Sequence, residues 1–193
     1  MPKNWTTVRT SAPANPAVSL SEVKAHLRLA EADTSQDNHL ELLRDGAVEK
    51  AQRDVRRQFV SCGFRQDSCS FDEAKVLWFG PVSSITKVEY LDQDGNSQTV
   101  DPSVYQFDAG RGQLKLAFGK EWPDAAQDSN AVSVSYVAGY GSDSGCVPRS
   151  LKQAALLLVA DSYYNPTSGN SVSPQNLNAY DSIINSLLPG IYP

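Results

Sequence analysis

The sequence is poor in the residues that would staple, metallate or anchor it. Cysteine occurs three times, at Cys62, Cys69 and Cys146. An odd number in a chain of 193 residues, long enough to bury a core without staples, fits free thiols better than a disulfide scaffold. Histidine is limited to His26 and His39, and no His or Cys stands at metal-ligand spacing, so no metal site is expected. No apolar run approaches the about 20 residues that a membrane-crossing helix needs, which excludes that mode of membrane association. Residues 1–18 are polar, carry Pro2, Pro13 and Pro16, and lack the apolar centre of a signal peptide. They are expected to be a flexible arm on a protein made in a cytoplasm. A basic excess is missing too. Lys and Arg total 17 against 22 Asp and Glu, a net charge of −5, and nucleic-acid wrapping depends on cations that neutralise phosphates.

What is present is a pattern. Residues 147–166 read VPRSLKQAALLLVADSYYNP, with no polar residue between Ala154 and Ala160. Apolar residues fall on every side of a helical wheel, so this helix is expected to be wrapped by protein all round, and a charge at Leu157 is expected to block folding. Pro148 suits its first turn and Asn165-Pro166 its end. Upstream, Ser19-Leu20-Ser21-Glu22 forms a capping box that opens a short helix ending near Glu31. A second cap at 34–37 opens a long helix striped by Leu40, Leu43, Ala47, Ala51, Val55 and Phe59, with Gly46 its one weak position. A last helix starts at Ser173-Pro174, with a stripe of Leu177, Tyr180, Ile184 and Leu187.

Between the helices the period changes to two. Strands are expected near 64–71, 75–79, 85–91, 98–100, 105–108, 113–118 and 132–137. Asp94-Gly95 is placed in a type I′ hairpin turn, and 110–112 in a second turn. The fold class is therefore α+β: residues 19–60 and 147–193 form a helical domain from both ends of the chain, and residues 61–146 an inserted small antiparallel β barrel or sandwich.

Chemistry is sparse in this pattern. Residues 137–147, VAGYGSDSGCV, carry Gly139, Gly141 and Gly145, but Ser144 stands where a dinucleotide loop needs glycine and Val147-Pro148 where a phosphate-binding loop needs lysine. The segment reads as a strand-to-helix turn. Asp92, Asp94 and Asp143 read as turn residues, and no carboxylate is matched with a base or nucleophile. No catalytic residue, cofactor or enzyme activity is expected. Trp78, Trp122, Tyr163 and Tyr164 read as core or interface fillers. The one concentrated basic feature is Arg53, Arg56 and Arg57, on the exposed side of the long helix and suited to an acidic partner surface.

The segments SLSEVKAHLRL (19–29), FGPVSSITKVEYLDQDG (79–95), VSYVAGYG (134–141) and VPRSLKQAALLLVADSYYN (147–165), in that order, resemble the head–tail connector, or head-completion adaptor, proteins of tailed bacteriophages. The resemblance spans residues 18–165. It implies a structural virion protein of the neck, in a homo-oligomeric ring of about twelve subunits beneath the portal protein. Such a ring extends the DNA channel and docks the next neck or tail protein; DNA passes through it without sequence-specific binding. A stopper or tail-completion protein of the same assembly is the alternative, followed by a nucleotide-binding enzyme that would use the loop at Gly139 and Gly141. The family fixes no portal-binding pattern, so the expected partner interface rests on exposed or terminal residues: Arg53, Arg56, Arg57, Leu188, Ile191 and Tyr192.

Overall fold

The structure, a computed structural model, describes residues 5–165 and 174–187. In chain order the elements are β1 (Trp5–Arg9), α1 (Leu20–Leu27), α2 (Asp37–Val55), β2 (Cys62–Ser68), α3 (Phe71–Ala74), β3 (Val82–Leu91), β4 (Ser97–Thr99), β5 (Tyr105–Asp108), β6 (Gln113–Leu116), β7 (Val132–Ala138), α4 (Arg149–Tyr164) and α5 (Pro174–Leu187). They fall into two compact units. One holds the described residues of Met1–Ala14 and Ser61–Tyr140, the other those of Asn15–Val60 and Gly141–Pro193. The class is α+β with antiparallel sheets, as expected.

In the β unit, five strands pair in the order β1-β2-β7-β3-β4, and β5 and β6 form a separate two-stranded sheet. No barrel closes among the described strands: β1 and β4 remain edges. Trp5–Arg9, expected in a flexible arm, is instead strand β1, paired antiparallel with β2 from Trp5↔Ser68 to Arg9↔Phe64. Its alternation is weak because Thr6 and Thr7 are both polar, so long-range pairing and not local pattern makes it a strand. The segment 75–79, expected as a strand, contributes only an isolated bridge at Val76. Its backbone is held by the fully buried Gln66, whose Nε2 donates to the Val76 carbonyl at 2.9 Å and whose Oε1 accepts from the Trp78 amide at 3.0 Å.

The central strand β7 packs Val132, Val134, Tyr136 and Ala138 into the core of this unit, all about 1% exposed or less. Phe64 stacks on Phe79 and on Tyr136 at 4.9 and 5.6 Å. Burial pushes the Tyr136 hydroxyl up to about 12 despite the hydrogen bond it accepts from the Phe79 amide. The turn after β3 differs from the expected type I′: only Gly95 has positive φ (82°), and the Asp92 carboxylate accepts from the amides of Asp94 and Asn96. That longer, aspartate-capped turn leaves Asp94 in an ordinary conformation.

In the helical unit the capping box of α1 forms as expected. The Glu22 amide donates to Ser19 Oγ at 3.1 Å and the Ser19 amide to Glu22 Oε2 at 2.7 Å. Both α1 and α2 end one residue before an arginine in the left-handed region, Arg28 (φ 59°) and Arg56 (φ 54°). The two following amides reach back to the last-turn carbonyls, Arg28 and Leu29 to Ala25 and Lys24, Arg56 and Arg57 to Arg53 and Gln52. This closure normally uses glycine, which has no Cβ to strain there. It stops α2 at Val55, four residues before Phe59, which is fully buried beyond the helix.

The helix α4 is buried on one face only. Leu151, Ala154, Ala155, Leu158 and Val159 are at most 4% exposed, while Leu156, Leu157 and Ala160 are only half-buried. The expectation of a helix wrapped on every side is thereby corrected, and Leu157 is not the residue that burial protects most. An unbroken apolar run says that a helix has two apolar faces but not that its own chain covers both.

Candidate interaction surfaces

The glycine-rich turn is built by its own side chains. The Asp143 carboxylate accepts from the Gly145 amide at 2.8 Å, and the amides of Cys146 and Val147 go to the carbonyls of Asp143 and Ser144. A phosphate cradle needs such amides pointing outward and unengaged. Gly141 is required by close packing: a Cβ there would lie 2.4 Å from Cys146 Sγ. Gly139 sits at φ 141°, a region other residues rarely enter.

Next to this turn lies a half-buried polar junction. Lys152 Nζ donates to Glu22 Oε1 at 2.7 Å and to Ser144 Oγ at 2.6 Å, tying the start of α1, the turn and the first turns of α4 together. Burial works to raise the Glu22 carboxyl, but the hydrogen bonds from Lys152 and Ser19 outweigh it and hold the group below the ordinary carboxylate range. Lys152 is shared between the Glu22 carboxylate and the Ser144 hydroxyl, so the Ser144–Lys152 contact reads as a clamp and not as a nucleophile with its base. A second clamp lies at α5, where the Tyr180 hydroxyl donates to Asp54 Oδ2 at 2.6 Å and Lys50 bridges to the same carboxylate at 2.8 Å. Burial first, then Asp54, pushes the Tyr180 hydroxyl well up. Deeper in the unit, Lys24 is 3% exposed, lies 2.7 Å from Asp37 and donates to the Glu31 carbonyl at 3.1 Å.

Among the described residues, no three His, Cys, Asp or Glu side chains gather as a metal site. His26 is half-buried on α1, where burial lowers its pKa, and His39 is exposed on α2. None of the three cysteines is in a disulfide; burial pushes the Cys62 thiol up, away from the reactive thiolate. Trp78 packs against Trp5 at 4.5 Å, and Trp122 stacks on Phe71 at 4.6 Å. Tyr163 donates its hydroxyl to Gln36 Oε1 at 3.1 Å.

Of the expected interface residues, Arg53 is exposed in the last turn of α2, Arg56 is its exposed cap and Arg57 lies beyond it, half-buried. The three therefore do not share one helical face. Leu188, Ile191 and Tyr192 lie outside the described residues. The structure adds exposed apolar side chains, Phe118 and Leu42, and exposes Tyr164, one of the expected core or interface fillers. Phe118 is fully exposed beside Gly119 (φ 71°), and Leu42 and Tyr164 are 70% and 63% exposed. Leu42 was legible only by its being off the stripe of its helix.

No family model matches the chain, and no curated protein matches it. Solved structures do. One neighbour is a chain from the neck of an empty gene transfer agent particle computed with C6 symmetry, with 22% identity and a TM-score of 0.76 over 97% of this chain and all of that one. Another is from the virion of the native gene transfer agent particle, with 21% identity and a TM-score of 0.76 over 95% of each chain. A third is from the neck of the native particle computed with C12 symmetry, at 21% identity and a TM-score of 0.74, covering 97% of this chain and the whole of that one. At these identities the likeness is one of fold, and it extends over both units of the chain.

Proposed function

We propose that this protein is a structural component of the neck of a tailed phage or phage-like particle, acting by binding and not by catalysis. The observation that carries the reading is the fold-level match, over 97% of this chain and the whole of the other, to a chain from a gene transfer agent neck. The use of C6 and C12 symmetry for those necks supports several copies around one axis. Within the neck, the function we assign is that of a head–tail connector adaptor: a ring of about twelve copies beneath the portal protein that extends the DNA channel and docks the next neck or tail protein. Support for that finer assignment comes from the order of the connector-like segments and from the clamps at Glu22 and Asp54, which fix helices against one another. A net charge of −5 also suits a conduit, since a lumen that held phosphates tightly would retard DNA.

The test is mass by light scattering, for the chain alone and after mixing with portal rings from the same genome. The adaptor reading expects a stoichiometric ring added to the portal. Binding to tail components without the portal would instead make the protein a stopper or tail-completion protein, and binding to neither would remove it from the neck.

A further inference from the structure

Two features of the β unit belong to opposite faces of its five-stranded sheet. The first is a displayed aromatic ring. Phe118 is 103% exposed and stands at the tip of a turn that closes where the Lys120 amide donates to the Ala117 carbonyl at 3.1 Å. Gly119, at φ 71°, supplies the positive φ that such a turn needs after Phe118. The Ala117 amide donates to the Val104 carbonyl at 2.9 Å, which ties the turn to the segment before β5. A large apolar side chain is thus held in water on a hydrogen-bonded mount, where a polar residue would serve the fold as well.

The second is a cavity of about 360 Å³ whose lining includes Gly63, Arg65, Thr86, Lys87 and Ser135. Ser135 of the central strand β7 pairs with Arg65 of β2 on one side and with Lys87 of β3 on the other. Successive residues of a strand alternate, so these three leave the sheet on the face opposite Val132, Val134 and Tyr136. The latter cluster with Leu114 of β6, and Tyr105 and Phe107 of β5 pack against them, so β5, β6 and the Phe118 turn that follows belong to the core face. On the cavity face, Arg65 and Lys87 are each held to a carboxylate two residues on, Asp67 and Glu89, at 2.8 Å. Val8, paired with Arg65, is 53% exposed. Ser133, one step along β7 on the same face, is 6% exposed, and its Oγ has no hydrogen-bond partner among the described residues, a state that buried hydroxyls rarely keep. This face therefore offers apolar surface, two cations and one unmet hydroxyl side by side.

The ring and the cavity suit one another. About 150 Å³ holds a benzene-sized group, so the cavity takes the phenyl ring of Phe118 together with part of its turn. Arg65 and Lys87 flank the space, and cations are attracted to an aromatic face. Glu121, exposed three residues after Phe118, brings a carboxylate to meet them. Phe118 does not fill the cavity of its own chain, being fully exposed and mounted on the core face. We infer that Phe118 of one copy of this chain inserts into the Arg65–Ser135–Lys87 cavity of a second copy. Knob and hole on different faces make a head-to-tail contact, which closes into a ring when the rotation allows. This contact rests on the reading of the protein as a multi-copy neck component and names residues that join its copies.

Cross-linking tests it. In the full chain carrying Cys69→Ser and Cys146→Ser, Lys120→Cys and Thr86→Cys variants are treated with a short bismaleimide separately and as a mixture, both free at high concentration and after addition to portal rings. Both positions are exposed, and Phe118 is retained. The mixture is expected to give a linked pair about tenfold more abundant than either variant alone. Adding Phe118→Ala to the Lys120→Cys chain is expected to remove that excess at an unchanged melting temperature, whereas Phe118→Trp keeps it. No excess in the mixture, or an excess that survives Phe118→Ala, overturns the contact. If the excess is absent and the chain still joins the portal, the neck reading stands without the contact; if the excess appears while portal and tail components are ignored, the contact stands and the neck reading fails.

Discussion

The helical unit and the β unit solve the same problem by opposite means. In the helical unit, the helix ends are closed by near neighbours in sequence, Ser19 with Glu22 and the two arginine caps with the turns behind them, while side-chain clamps such as Lys152 with Glu22 and Tyr180 with Asp54 join helices over long separations. In the β unit the strand backbone is satisfied across long separations, as when β1 pairs with β2 and β2 with β7. Local satisfaction makes an element readable and repairable alone. Distant satisfaction makes each strand depend on partners that its own residues do not announce.

The comparison predicts where substitutions do most harm. The largest effect is expected from Leu158→Asp, which places an unpaired carboxylate on the buried stripe of α4 beside Leu151 and Ala155. Circular dichroism is expected to show loss of the folded chain, whereas Leu157→Asp, on the half-buried side, should still fold. Equal damage from both would mean that α4 is enclosed on both faces after all. In the β unit, Phe64→Ala removes the ring between Phe79 and Tyr136 and is expected to cost about 3–5 kcal/mol in denaturant unfolding. A loss under 1 kcal/mol would mean that the stack relaxes freely.

Next comes Gln66→Leu, which strips the Trp78 amide and the Val76 carbonyl of their partner while keeping an apolar volume. It is expected to cost about 1–3 kcal/mol and to speed hydrogen exchange at Trp78 specifically. The smallest effect tests the locality of the helical unit. Ser19→Ala should cost about 1 kcal/mol, the usual worth of such a cap.

Acid and base divide the helical unit further. Glu22 has a lowered folded pKa, so the stability it contributes is present above the ordinary carboxylate pKa and lost as the pH falls through the lowered folded value. Tyr180 has a raised one, so its contribution is present below the ordinary phenol pKa and lost as the pH rises beyond about 10. Unfolding followed against pH in Glu22→Gln and Tyr180→Phe should flatten the acid and alkaline limbs respectively. An unchanged acid limb in Glu22→Gln would contradict the clamp at Lys152.

How much of this was legible follows the same division. The capping box at Ser19 and the strand at Tyr105–Asp108 are written in adjacent residues and appear as read. The strand at Trp5–Arg9 was not, because Thr6 and Thr7 alternate poorly and only pairing with β2 supplies its hydrogen bonds. Residues 75–79 have a strand's periodicity, yet one glutamine takes the bonds a ladder would have made. The end of α2 was misread because Arg56 occupies a position where glycine would have marked the stop. For the candidate surfaces, sequence pointed to arginines by their charge. Exposure of Leu42 and Tyr164 depends on which faces the chain covers, and a wheel alone does not tell that.

The most direct measurement is electron cryomicroscopy of particles assembled from the same genome with and without this chain. The account predicts a ring of density between portal and tail into which both units fit, absent from particles lacking the chain. Complete necks formed without it, or density for it elsewhere in the particle, would contradict the account.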